Sequence, residues 1–207
     1  MSHGKRPEMR RGDVGIVTIK IAAGLPSLRY HAENDAIYAA LSRARRSCRV
    51  GEDFRVLEYS VQSNHLHLIV EAESCADLQT GMRGLMAHLG NALRRLWKKS
   101  GRVFADRYHL ELITTPTRMR HAYRYVLNNA RKHNSWTANK PDPYSSGPWF
   151  RGWSDSLLLT DRPRLPSPCS PPRSWLAQKG WLRAGPRLAF ADNPVKPPRR
   201  KTLLRKT

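Results

Sequence analysis

The segment Ser63-Asn64-His65-Leu66-His67-Leu68-Ile69-Val70-Glu71 limits the folding of this chain more than any other stretch. Its Leu-Ile-Val run reads as a β-strand. Side chains alternate faces along a strand, so His65 and His67 point to one side while Leu66 and Leu68 point to the other. Neutral imidazoles held that close can ligate one metal ion, the sheet fixing their separation. The plain alternative is a pair of ordinary histidines on a half-buried strand.

The elements around this strand define a topology. Val14 to Ile21 is β-branched and short, hence a strand, and Leu25-Pro26-Ser27 is a turn. Residues 32–48 suit a helix with an apolar stripe of Ala36, Ile37, Ala40 and Leu41 and a cationic C-terminal half. Phe54 to Val61 pairs with His65 to Ala72 across Gln62-Ser63-Asn64 as an antiparallel hairpin. Asp77 is a candidate cap for a second helix, whose stripe runs from Leu78 through Met82, Leu85, Leu89 and Leu93 to Trp97, with Gly101 ending it. Leu110 to Thr114 is a fourth strand, and a third helix, opened by Pro116, runs to about Lys132. The order predicts an α+β, ferredoxin-like split βαβ fold: a four-stranded antiparallel sheet with two helices on one face. The first and third strands are central, and the third helix crosses the open face toward the histidines.

Three segments follow: a flexible basic arm over 1–13, the folded domain over 14–136, and a Pro-rich, aromatic and basic extension over 137–207. Residues 161–173 read as a stiff linker. Trp149, Phe150 and Trp153 read as cover for a domain edge rather than as a stacking platform. The tail from Pro194 to Thr207 is basic and reads as disordered.

Charge names the partner. Lys and Arg number 37 against 16 Asp and Glu, a net charge of +21 over 207 residues. Such an excess attracts polyanions, nucleic acid first, because each phosphate neutralised releases counterions. No apolar stretch approaches the roughly 18 residues of a spanning helix, and no signal peptide is visible, so the expected location is cytoplasmic and nucleoid-associated. Cys48, Cys75 and Cys169 lie too far apart to suggest a disulfide framework or a zinc site. Arg94, Arg95, Lys98 and Lys99 punctuate the second helix with no acidic residue between Asp77 and Asp106 to pair with them. They are candidate contacts to backbone phosphate. Arg102 and Arg107, with His109, are candidates in the loop before the fourth strand, the alternative being a simple polar connection.

On the third helix His121, Tyr125 and Asn129 recur every four residues and share one stripe. A phenol and an amide oxygen aimed at a His-x-His strand place a nucleophile beside an ion that polarises a phosphoryl group. The alternative is an amphipathic packing tyrosine and a polar helix end. The free phenol titrates at about 10, so the ion and cations such as Arg124 or Arg131 are expected to favour phenolate. Lys132, beside them, is a further DNA-binding candidate.

Three blocks, Gln62–Glu71, Gly101–His109 and Tyr125–His133, resemble in content and order the REP-associated tyrosine transposases, a branch of the single-tyrosine HUH transposases. The resemblance runs from about Val14 to Trp136, and Pro143–Ser146 resembles one bacterial subgroup more loosely. It implies a ferredoxin-like fold acting on hairpin-bearing single-stranded DNA in DNA transposition and recombination. It implies that His65 and His67 bind Mg2+ or Mn2+, with Asn129 at the third-ligand position. Tyr125 matches the nucleophile that forms a 5′-phosphotyrosine link and frees a 3′-hydroxyl. Mn2+ suits mixed nitrogen and oxygen ligation better than Mg2+. Asp13–Thr18 lacks the histidine that many relatives carry before the Val-Thr of the first strand. The expected assembly is a monomer or homodimer. The competing class is a non-catalytic or domesticated single-stranded nucleic-acid-binding protein, since a basic four-stranded sheet is also an RNA platform. That reading expects exposed aromatics on the central strands, where this chain has histidines.

Overall fold

The computed structural model describes residues 8–46, 53–161 and 163–194. Strands β1 (Val14–Lys20), β2 (Phe54–Val61), β3 (His65–Ala72) and β4 (His109–Ile113) form one antiparallel sheet in the order β2-β3-β1-β4. Helices α1 (His31–Arg46) and α2 (Cys75–Trp97) cover one face, and α3 (Pro116–Leu127) crosses the other. This is the split βαβ arrangement, with β1 and β3 central as the element order predicts.

The two-residue period of the central strands divides the interior in two. Val17, Ile19, Leu66, Leu68 and Val70 point toward α1 and α2 and join Ile37, Leu41, Met82, Leu85 and Leu89 in one core. Val14, Ile16 and Ile69 point the other way and pack under Met119, Ala122, Tyr123 and Val126 of α3. An RNA platform would leave that second face open; here α3 roofs it.

Local chemistry moves several boundaries. The N-cap of α2 is Ser74, whose hydroxyl accepts from the Asp77 amide at 3.2 Å, so Asp77 sits in the first turn and is not the cap. The helix closes at Lys98, which takes a left-handed conformation (φ 49°) with its amide bonded to the Arg94 and Arg95 carbonyls. Gly101 (φ 90°) belongs to the loop beyond. Helix α3 starts as expected, with Thr115 as cap and Pro116 behind it, but it breaks at Asn128 before resuming as the single turn α4 (Asn129–Lys132). The break has a visible cause: Asn128 Nδ2 donates to the carbonyls of Ala189 (3.3 Å) and Asp192 (2.9 Å), tying this point to the extension.

Residues after Trp136 wrap onto the sheet. Trp153, Trp181, Leu188 and Phe190 are buried beside α3, and Arg29 grips Asp142 through two bonds of 2.8 and 3.0 Å. Residues 163–173 are not a linker. Cys169 is buried, the Ser170 amide donates to the Val56 carbonyl at 2.8 Å, and buried Glu71 accepts from the amides of Arg173 and Ser174. The segment is a strap along β2, where a register shift between Val56 and Glu58 marks a bulge. At the other end, Met9 is buried and pins residues 8–13 through its amide bond to Cys75 Sγ at 3.0 Å. Residues 1–7, Cys48 and the tail from 195 onward lie outside the described residues. No described helix is long and apolar enough to cross a membrane.

Candidate active site

His65 and His67 share the face that α3 covers, as strand periodicity requires. Their Nε2 atoms lie 3.0 Å apart, and Tyr125 Oη lies 3.2 Å from His67 Nε2. Three polar atoms from two distant segments thus meet at one point. Each imidazole is fixed from behind. Asn64 Oδ1 accepts from His65 Nδ1 (2.8 Å), which leaves His65 Nε2 as an acceptor. Thr18 Oγ1 lies 3.0 Å from His67 Nδ1, because β1 and β3 pair Thr18 directly with His67. Burial first, then the charges of His133 and Lys20, push His65 down to about 4, so it stays neutral and able to ligate above that pH.

His65 Nε2, as an acceptor, faces His67 Nε2 at 3.0 Å, a separation bridged by a proton on His67 or by a shared cation. Asn129 is the further test of fit. It is fully buried, and both its amide atoms lack a hydrogen-bond partner. An orphaned buried amide costs about 1–3 kcal/mol, a penalty a cation would relieve. The flanking contacts locate it: the Tyr125 ring lies 4.9 Å from His67, and the His133 ring lies 6.2 Å from His65. Asn129 lies midway in sequence between Tyr125 and His133, the two residues that make these contacts. Among the described residues no cluster of three or more His, Cys, Asp or Glu side chains gathers. Any ion here would take two imidazoles and an amide oxygen, a mixed set that suits Mn2+ better than Mg2+.

The phenol is not activated in the way the sequence suggests. Burial, then the Glu111 carboxylate, raises the Tyr125 phenol above its ordinary value. The arginines expected beside it are otherwise placed: Arg131 bonds the Ala138 carbonyl, and the Nε of half-buried Arg124 has no partner. Lys132 is the cation at hand, its Nζ 5.7 Å from the Tyr125 ring centre. His121, one turn before Tyr125, is half-buried with an unpartnered Nδ1. Burial, with Arg124 and Arg120, pushes it down. Tyr123 points away into the extension, donating to the Ala177 carbonyl at 2.9 Å. Tyr108 is buried on the opposite side of the sheet, in the core under α1 and α2.

The basic candidates separate into groups. Arg94, Arg102 and Arg107 line one cleft of about 690 Å³ with Arg83, Phe104 and Tyr108. Arg95, Lys98 and Lys99 are exposed at the end of α2, outside that cleft. Sequence reasoning missed Arg83, though it lies three turns before Arg94 on the same helix. It also missed Thr18, which no local pattern marks, and His133, which extends the four-residue spacing of His121, Tyr125 and Asn129.

Sheet order, roofing helix and paired imidazoles define a ferredoxin-like α+β domain with a polar cluster where α3 meets the sheet. No family model and no curated protein matches the sequence. Among solved structures, the chain is similar to a REP-associated tyrosine transposase bound to a REP hairpin. The TM-score is 0.57 and the identity 17%, over 81% of this chain and 100% of that one. The relation is distant and lies in the fold.

Proposed function

We propose that this protein is a metal-dependent transposase or nickase that cleaves and rejoins single-stranded DNA at hairpin-bearing repeats through Tyr125. The observation that carries the reading is the contact of Tyr125 Oη with the Nε2 of His67, itself 3.0 Å from the Nε2 of His65; the buried, unpartnered Asn129 carboxamide four residues on supports it. His65, His67 and Asn129 hold the ion; when bound, Mg2+ or Mn2+ supplies charge neutralisation at the phosphoryl oxygens. Tyr125 Oη forms the new bond to phosphorus while the P–O3′ bond breaks. The phenol proton passes to water, and the leaving oxygen takes up a proton as the 3′-hydroxyl. The ester conserves the phosphodiester bond energy, so a second 3′-hydroxyl can reverse the step and rejoin strands. Lys132 favours the phenolate, and Thr18 and Asn64 hold the imidazoles in register. Arg83, Arg94, Arg102 and Arg107 grip the DNA backbone in their cleft, with Arg95, Lys98 and Lys99 extending the basic surface. Support for a hairpin substrate comes from the fold likeness, since that solved neighbour holds a REP hairpin.

The test is a labelled hairpin oligonucleotide incubated with the protein in Mn2+ or in excess EDTA. The expected result is a covalent protein–DNA band that needs the metal, maps to Tyr125 by mass spectrometry, and is lost in His65→Ala. Undiminished cleavage in EDTA, or products ending in 5′-phosphate with no tyrosine adduct, overturns the reading.

A further inference from the structure

The register of β1 on β3 sets another group beside the paired imidazoles. Thr18 stands opposite His67 and lies 3.0 Å from its Nδ1, so the even-numbered side chains of β1 rise on the face of the site. The next of them is Lys20, directly opposite His65. Its chain neighbours Ile19 and Ile21 turn the other way, into the core under α1 and α2. Cross-strand partners hold their Cβ atoms about 4.5–5.5 Å apart, and a four-carbon stem is long enough to carry the ammonium past the His65 ring. After burial and His133, the Lys20 charge is the next cause that pushes His65 down.

Lys20 is exposed, and none of the ion pairs among the described residues involves it. A cation beside an ion site repels the ion it neighbours. That repulsion is offset when an anion lies between the two charges, as a phosphodiester does. Tyr125 and Lys20 also lie at opposite ends of the imidazole pair. The phenol contacts His67, Lys20 stands across from His65, and the two Nε2 atoms between them are 3.0 Å apart.

We propose that Lys20 is a catalytic residue whose ammonium hydrogen-bonds the departing 3′-oxygen of the scissile phosphodiester and neutralises the charge that gathers on it. The proposal rests on the strand-transfer reading above. As Tyr125 Oη bonds to phosphorus and the P–O3′ bond breaks, the electron pair of that bond moves onto O3′, in line with and opposite the nucleophile. The proton that completes the 3′-hydroxyl comes from water, so Lys20 keeps its charge throughout. In the reverse step the same contact holds the incoming 3′-hydroxyl, which gives Lys20 a part in rejoining as well as in cleavage.

The test compares two labelled hairpin substrates: the natural one, and one in which sulfur replaces the bridging O3′ at the bond the parent cleaves. A thiol titrates near 8.5, several units below an alcohol, so a thiolate leaves without a cation to help it. Adduct formation is timed at saturating DNA and Mn2+ for the parent, Lys20→Met and Lys20→Arg. Methionine keeps the unbranched stem and drops the charge. On the natural substrate Lys20→Met is expected to be slower by about 10–100-fold, less than the loss of an enclosed oxyanion donor because the ammonium stands in water. Lys20→Arg is expected to keep most of the rate. On the sulfur substrate Lys20→Met is expected to match the parent within about threefold. Hairpin affinity in EDTA is expected to stay close to the parent's, and Mn2+ affinity by electron paramagnetic resonance to hold or tighten, which a role in folding or ion loading would not allow. An equal loss on both substrates, or full rate by Lys20→Met on the natural one, overturns the proposal alone. Absence of a tyrosine adduct from the parent overturns the strand-transfer reading with it.

Discussion

Tyr123 and Tyr125 stand two residues apart on α3, and removing each hydroxyl has opposite consequences. In Tyr125→Phe the ring keeps its packing, and the loss is one hydrogen bond, to His67 at 3.2 Å, worth about 1 kcal/mol. For a domain of this size that is a melting change of about 2–4 °C. Tyr123→Phe removes the donor to the Ala177 carbonyl, inside a core of Phe150 and Trp181. A buried carbonyl left without its partner costs about 1–3 kcal/mol, or roughly 2–12 °C. The expected ranking is therefore inverted between assays. Scanning fluorimetry should find Tyr123→Phe the less stable variant. The denaturing gel with labelled hairpin and Mn2+, run below both melting points, should show its adduct intact and that of Tyr125→Phe reduced to background. An adduct retained by Tyr125→Phe would refute the nucleophile assignment. Loss of the adduct from folded Tyr123→Phe would refute the claim that the two faces of α3 act separately.

Gly81→Ala should destabilise, although an exposed helical Gly→Ala change usually gains up to about 1 kcal/mol. A Cβ there would come within 2.5 Å of Phe54 Cβ, which cannot swing aside, so we expect a loss of about 1–3 kcal/mol by urea titration. Glu58 should make stability fall as pH rises. Its folded value is raised to about 8, so from about pH 4.5 to 8 the folded state binds a proton that the unfolded chain has released. Stability then drops by up to about 1.4 kcal/mol per pH unit across that window, less where water in the cavity that Glu58 lines screens the side chain. Its neighbours Tyr59, Tyr123 and Cys169 are all raised by burial, so they stay protonated through this range. Glu58→Gln should therefore melt progressively higher than the parent as pH climbs from 5 to 8; parallel melting curves would contradict the assignment. Affinity for single-stranded DNA should fall with salt on a log–log slope of several units, and replacing Arg94, Arg102 and Arg107 by Gln should lower the slope by about 2–3. An unchanged slope would mean that their cleft does not hold phosphate.

Local periodicity by itself determined much of this protein. The two-residue period placed His65 and His67 on one face and Leu66 and Leu68 on the other. The order of apolar runs specified the sheet. These properties are written between near neighbours in the chain, so no packing is needed to read them. What only tertiary structure decided depends on register and on segments far apart in sequence. Thr18 became the support of His67 because β1 and β3 pair in one register among several that the pattern allows. The break at Asn128 follows from carbonyls sixty residues downstream, which a helical spacing cannot foresee. The strap over residues 163–173 reads as a linker because its prolines forbid regular structure, yet it packs through single backbone bonds and one buried cysteine. The cavity of about 600 Å³ at the Glu58 bulge arises where that strap meets an edge strand. The Tyr125 phenol is raised rather than lowered because burial, set by the whole roof over the sheet, and then the Glu111 carboxylate both act in that direction, while Arg131 is engaged elsewhere.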